Sequence, residues 1–352
     1  MIDTYNIEIE KVTKSKILDF DVTDIQFGKH YSDHMFIADF DGRSWQNAKI
    51  LPFGNISLSP ANVTLHYGQS VFEGMKAYKY ENGDVALFRP IDNFKRINIS
   101  AERMCLQQLP EEVFMSGLTE LINLDRDWVP ANEGTSLYIR PLLFATDEYI
   151  GIKPSDVFKF MIITSPAGAY YSKPVKVKIE THYSRAVAGG TGYAKAAGNY
   201  GGSLFPAKAA QEQGFDQLIW TDAITHEYIE ESGTMNVMFL VGDTLITALA
   251  GDTILNGITR DSVLTLARDW GVNVEERKFS VKELITAAES GELKEAFGTG
   301  TAATITSIYE IGHESESYKL PESMEFAEKL KNALEGIKRG ILEDKFHWMH
   351  VV

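Results

Sequence analysis

Between two strand-like stretches, Ser165-Pro166-Ala167-Gly168-Ala169-Tyr170-Tyr171-Ser172-Lys173-Pro174 interrupts every hydrophobic period, and no other feature constrains the fold as strongly. Residues 158–164 before it read as an apolar strand, and Val175-Lys176-Val177-Lys178-Ile179 after it alternates as a half-buried strand does. With 352 residues the chain also exceeds what one hydrophobic core usually serves. Two domains are therefore expected: a smaller N-terminal α/β domain over 1–164, a linker over 165–174, and a larger C-terminal α/β domain over 175–352, with a ligand cleft between them.

Charge and cysteine usage narrow the function classes. A formal net charge of −15, from 34 Lys+Arg against 49 Asp+Glu, argues against nucleic-acid or anionic-membrane partners, because the average surface field repels phosphate polymers. Any phosphate must be held locally. The one cysteine, Cys105, offers neither a disulfide nor a thiolate metal cluster, and the histidines follow no ligand spacing, so no metal is expected. The opening residues have no basic segment leading into an apolar run, and no stretch is apolar for long enough to span a bilayer. The expectation is a cytoplasmic protein.

Helical and strand-like patterns alternate along the chain, as in a mixed α/β (α+β type) protein. An Asn82-Gly83 turn leads into a strand over 84–88, and Phe94, Ile97, Ala101 and Met104 then recur at helical spacing, with Asp92 as a cap. Two strand runs, 236–241 and 244–248, flank Gly242-Asp243 as a hairpin, and residues 261–270 form a helix stopped by Gly271.

Lys195 stands in Gly189-Gly190-Thr191-Gly192-Tyr193-Ala194-Lys195-Ala196-Ala197-Gly198-Asn199-Tyr200-Gly201-Gly202-Ser203, with no other charge. A lysine among small neutral residues can lie in a dry site, where the free amine becomes a nucleophile for carbonyls. The alternative is a solvated lysine on a glycine loop. Thr259 follows Leu255-Asn256-Gly257-Ile258, so a glycine turn delivers N–H groups and a hydroxyl to a helix start, which suits phosphate or simple capping. Arg96 is a second phosphate candidate, or a solvated helix arginine. Gly298-Thr299-Gly300-Thr301-Ala302-Ala303 fits a dinucleotide fingerprint only formally, because strand-like Thr304-Ile305-Thr306-Ser307-Ile308 follows where a helix is needed; a tight turn offering amides to an anion is the better use. Glu227, Glu230 and Glu231 read as a solvated edge unless one faces inward, where it would hold a pyridine nitrogen protonated.

Together these segments resemble a fold-type IV pyridoxal-phosphate enzyme, specifically a branched-chain amino-acid aminotransferase. The resemblance runs from Phe27-Gly28-Lys29 through His66-Tyr67-Gly68-Gln69-Ser70-Val71-Phe72-Glu73-Gly74-Met75-Lys76-Ala77-Tyr78, Ser136-Leu137-Tyr138-Ile139-Arg140-Pro141, the Lys195 stretch, Glu231-Ser232-Gly233-Thr234-Met235-Asn236, Gly257-Ile258-Thr259-Arg260 and Phe297-Gly298-Thr299-Gly300-Thr301-Ala302. It implies that Lys195, in the C-terminal domain, joins covalently to the cofactor aldehyde, Glu231 pairs with the pyridine nitrogen, and Tyr200 donates to the ring oxygen. Arg96, Ile258, Thr259 and Thr301 would hold the phosphate, with Thr234 and Asn236 at cofactor-contacting positions. Phe27, Tyr67, Phe72, Tyr138 and Tyr170 would enclose the substrate side chain, Arg140 would meet the side-chain carboxylate of glutamate, and the Thr301-Ala302 turn would receive the α-carboxylate.

The implied activity is ping-pong transfer of the amino group between L-leucine, L-isoleucine or L-valine and 2-oxoglutarate, by a homodimer. Sequence cannot rank the three substrates, since a methylene changes binding by only about 1–3 kcal/mol. Ala303 and Thr306 stand where mammalian members carry Cys-x-x-Cys, so thiol-based control is not expected. D-amino-acid aminotransferases and aminodeoxychorismate lyases share the lysine and glutamate, and a nicotinamide-dependent dehydrogenase would rest on the Gly298 stretch alone.

Overall fold

The computed structural model describes residues 6–22, 25–168 and 173–352, and its backbone divides into two compact units. The first comprises Met1–Tyr170, Ala194–Ala197 and Gly336–Val352. Its sheet runs in the order Glu8–Ile9, Trp45–Pro52, His34–Phe40, Phe158–Ala167, Ser136–Ala145, Met75–Lys79, Val85–Phe88, Met349–Val351, with Ser70–Phe72 also paired to Ser136–Ala145. Asn82-Gly83 makes the expected turn: Gly83 takes a φ of 89°, and the Asn82 side chain accepts from the Asp84 N–H at 3.0 Å.

Helices Pro90–Arg103 and Glu111–Leu124 supply apolar side chains to the core of this unit, including Ile97, Ala101, Phe114, Leu118 and Leu121, which join Phe36, Ile50, Leu87 and Phe160. The second helix lies so close to the strand below that a Cβ on Gly117 would stand 2.6 Å from the Phe36 ring. The first helix does not begin where the sequence suggests. Pro90 opens it behind a left-handed Arg89, and Asp92 lies in the first turn, where it binds Arg89 Nε at 2.7 Å instead of capping.

The second unit comprises Tyr171–Tyr193 and Gly198–Glu335. Its sheet runs Ile229–Ser232, Gln217–Thr221, Val175–Glu180, Thr304–His313, Leu293–Gly300, Met235–Val241, Thr244–Thr247, Asn273–Glu276. Ile229–Ser232 also pairs with Met235–Val241, and that pairing closes the sheet on itself as a barrel-like ring. Closure satisfies edge strands that would otherwise expose unpaired N–H and C=O groups. Both units are mixed α/β.

The units differ from the sequence boundaries in two places. Residues 194–197 group with the first unit because the Phe72 N–H donates to the Lys195 carbonyl (3.1 Å), Lys195 N–H to Ser100 Oγ (2.9 Å), and Ala196 bridges to Val71. The C-terminal strand Met349–Val351 returns to pair antiparallel with Val85–Phe88. Phe158–Ala167 runs through Pro166 into the expected linker, of which residues 169–172 lie outside the described residues.

Candidate active site

In the first unit the strand segment containing Phe72 and the hairpin strand Ser136–Ala145 place five of the expected residues in mutual reach. Lys195 Nζ stands 5.0 Å from the centre of the Phe72 ring, and the Arg140 guanidinium lies over the same ring at 4.7 Å. Arg140 also donates to the Tyr138 hydroxyl at 2.7 Å, and Tyr138 meets Phe27 edge-on at 4.9 Å between ring centres. Arg140 Nε is buried with no hydrogen-bond partner, so the guanidinium retains a donor for an incoming acceptor. Gly74 makes room for this arrangement: a Cβ there would fall 2.3 Å from the Tyr138 oxygen.

Lys195 is half-buried, and beneath it lies a carboxylate that sequence reasoning quoted without assigning a role. Glu73 is fully buried and grips Arg96 with both oxygens, Oε1 to Nε at 2.7 Å and Oε2 to Nη2 at 2.8 Å. Asn93 Nδ2 and the Gly74 N–H donate to Oε2 at 2.7 and 3.1 Å. Burial alone would push the Glu73 carboxyl up, but the Arg96 guanidinium, the Lys195 ammonium and the Asn93 amide hold it below the ordinary glutamate range. The signal was present in the sequence as one acid in an otherwise neutral run, the same argument that singled out Lys195.

Tyr67 does not join that group. It ends the short helix Val63–Tyr67, is 44% exposed, and donates to the Ile150 carbonyl. Tyr170 lies outside the described residues.

In the second unit the ladder register aligns Glu231 with Asn236 across adjacent strands. Glu231 Oε1 accepts from the Leu255 N–H (2.9 Å) and from Asn236 Nδ2 (3.2 Å), while Oε2 lies 2.9 Å from Arg185 Nε. Asn236 Nδ2 also donates to the Leu255 carbonyl at 2.9 Å, which ties the carboxylate to the turn that starts the helix Ile258–Asp269. That helix begins at Gly257, where no side chain caps it, and a Cβ at Gly257 would lie 2.0 Å from Asn236 Oδ1. Thr259 is therefore within the first turn, and buried, in place of being the cap. A helix start with no side-chain cap and a buried hydroxyl beside it fits a phosphate.

Tyr200 lies in the first turn of the helix Ala197–Glu212, half-buried. Thr301 and Ala302 form the half-buried turn between Leu293–Gly300 and Thr304–His313, so the strand expected after this glycine stretch is present where a dinucleotide fingerprint needs a helix. Thr234 stands exposed at the turn between Ile229–Ser232 and Met235–Val241. Sequence reasoning missed Arg185 and the Leu255 amide beside Glu231, and Thr253 beside Glu230, because their approach depends on loop closure that no local period encodes.

In the first unit an amine suits an aldehyde, and in the second an inward-facing carboxylate and an uncapped helix start suit a pyridine nitrogen and a phosphate. The chain matches the class IV amino-transferase family over residues 70–311. It is 43% identical to branched-chain-amino-acid aminotransferase 2 of Bacillus subtilis over 98% of this chain and 96% of that relative. It is also 44% identical to a probable branched-chain-amino-acid aminotransferase of Staphylococcus aureus over 100% and 99%. Among solved structures, a branched-chain aminotransferase from Thermoproteus uzoniensis with norvaline superposes with a TM-score of 0.75 at 25% identity, over 90% of this chain and 99% of that one. The chain belongs to the class IV aminotransferases. Within that class it stands with the branched-chain amino-acid aminotransferases, transaminases that depend on pyridoxal phosphate.

Proposed function

We propose that the chain moves the amino group between L-leucine, L-isoleucine or L-valine and 2-oxoglutarate, with Lys195 as its catalytic residue. The observation that carries this reading is the sharing of one aromatic ring, Phe72, by the Lys195 ammonium and the Arg140 guanidinium. Pyridoxal phosphate, when bound, supplies an aldehyde for the lysine and the substrate amine, and a ring that takes up the electron pair left at the substrate Cα. Once displaced by substrate, Lys195 Nζ takes the Cα proton as general base and then returns it one carbon further on. Glu231 keeps the ring nitrogen protonated through a charge-assisted hydrogen bond, its geometry set by Asn236 and Leu255. Tyr200 serves the ring oxygen, and Thr234 and Asn236 support the ring.

Phosphate falls to Arg96, Ile258, Thr259 and Thr301, with Glu73 fixing the plane of the arginine. Phe27, Phe72 and Tyr138 surround a branched aliphatic side chain, whose burial contributes about 25 cal/mol per Å². Glutamate carries a carboxylate into the same pocket, and Arg140 meets it with the donor it retains. The Thr301-Ala302 turn takes the α-carboxylate through its amides.

A homodimer accords with the apolar residues the first unit leaves open, Leu65 at 63%, Ile150 at 66% and Ile152 at 91% exposure. No helix among the described residues is long and apolar enough to cross a membrane, and the net charge of −15 disfavours nucleic acid, so small-molecule chemistry in the cytoplasm is the setting proposed. Borohydride reduction of the holoenzyme followed by peptide mapping tests the reading. A pyridoxyl label on the peptide carrying Lys195 is expected; a label elsewhere, or none, removes Lys195 from its role.

A further inference from the structure

Glu230 precedes Glu231 on Ile229–Ser232, a strand buried at every position, and it is itself 7% exposed. Neighbours on a strand point to opposite faces, so two adjacent buried acids need two separate sources of compensation. The second unit provides one guanidinium near both. Arg185 Nε lies 2.9 Å from Glu231 Oε2, and its Nη2 donates to the Thr253 carbonyl, while the Thr253 hydroxyl donates to Glu230 Oε1 at 2.5 Å. Glu230 Oε2 is buried and meets no polar partner, as does the hydroxyl of Ser232 two residues along the strand.

The charged groups that act most strongly on Glu230 are Arg185, Glu231 and Asp222. Burial first, and then repulsion from Glu231 and Asp222, hold its carboxyl above the ordinary range against the pull of Thr253 and Arg185. Two buried carboxylates with only one cation near them cannot both ionise cheaply, and the group with the poorer partners keeps the proton. Glu231 has the Leu255 amide, the Asn236 amide and Arg185; Glu230 has a hydroxyl.

We infer that Glu230 is a proton-carrying positioning residue for the cofactor site: neutral while Arg185 alone balances Glu231, and ionised once the protonated pyridine nitrogen docks on Glu231 and adds a second positive charge. The proton passes to solvent, and no bond to the cofactor forms or breaks at Glu230. This rests on the reading of Glu231 as the pyridine partner. It adds that cofactor affinity is linked to a carboxyl that does not touch the ring, and that the acidic pair keeps the site neutral in both states.

Apoprotein, as wild type and as Glu230→Gln, is titrated with pyridoxal phosphate in a calorimeter, in buffers of different ionisation enthalpy at pH values from about 5 to about 8. The titrations of the cofactor itself are common to both proteins and cancel in the difference. Wild type is expected to release up to about one proton more per cofactor bound than the variant, with an affinity that rises more steeply with pH. Equal proton counts overturn the inference and leave the reading of Glu231 standing; failure of wild type to take up cofactor overturns both. Infrared difference spectra of wild type alone, before and after cofactor, give a measurement that does not depend on the variant folding. Loss of a protonated-carboxyl stretch is expected, and its persistence overturns the inference.

Discussion

Glu73 in the first unit and Glu230 in the second are both buried glutamates, yet their carboxyls are pushed in opposite directions. For each, burial is the largest influence and raises the carboxyl. Glu73 offsets it with a bidentate guanidinium, a nearby ammonium and an amide; Glu230 has a hydroxyl, shares its guanidinium with a second acid, and is repelled by that acid. The depth of burial sets how much is at stake, and the ratio of cations to carboxylates decides the sign. A balanced pair fixes an arginine in place, whereas an unbalanced one stores a proton.

The largest effect tests the balanced side. Glu73→Gln keeps the volume but leaves the Arg96 guanidinium buried without its counter-charge, and breaking such a pair costs about 3–5 kcal/mol. Urea unfolding at neutral pH should show that loss; a shift of less than about 1 kcal/mol would mean that water enters and the two sites are alike. A smaller effect is expected from Gly257→Ala, because the new Cβ must displace Asn236 from beside Glu231, at about 1–3 kcal/mol for overpacking. Cofactor retention on dialysis should fall with it. The counterpart in the first unit is Gly74→Ala, whose Cβ pushes Tyr138 away from Arg140. Cofactor retention should hold while the KM for glutamate rises about tenfold, equivalent to about 1.4 kcal/mol. If both glycine variants lose cofactor alike, the division of labour between the two units is wrong.

Much of the fold was legible because it is local. The Asn82-Gly83 turn, the hairpin at Gly242-Asp243 and the helix stopped by Gly271 follow from turn chemistry and period. The ring closure in the second unit was not legible, since Ile229–Ser232 meets Met235–Val241 and Val175–Glu180 meets Thr304–His313 through pairings that no hydrophobic period encodes. The assignment of 194–197 and of the C-terminal strand to the first unit is hidden for the same reason. In the site, Lys195 comes from a segment whose composition already set it apart, whereas Phe72, Tyr138 and Arg140 were reached only through the family resemblance; all four meet in one unit. Glu73 carried a comparable mark, a lone acid in a neutral run, but Arg185 has none, because a partner that compensates a buried charge is visible only once the chain has folded around it.

The smallest effect is the most discriminating, because it concerns a sign. Below the ordinary glutamate value of 4.5 Glu230 is protonated in both folded and unfolded chains and contributes nothing to stability. Above it the unfolded chain releases the proton while the folded one keeps it, so stability falls as pH rises until the folded carboxyl ionises. Glu73 runs the other way: its folded value is depressed, its contribution is complete above 4.5, and it is lost as acid titrates the folded carboxyl. Apo Glu230→Gln should therefore match wild type in acid and become the more stable of the two toward neutrality, by less than about 1–2 kcal/mol. Urea midpoints of both proteins across that range measure it, and a difference that stays flat would show that folding leaves the Glu230 carboxyl unshifted. Repeating the series with pyridoxal phosphate bound sharpens the contrast. A second positive charge in the cluster would let Glu230 ionise near its unfolded value, and the gap between wild type and variant should then close or reverse.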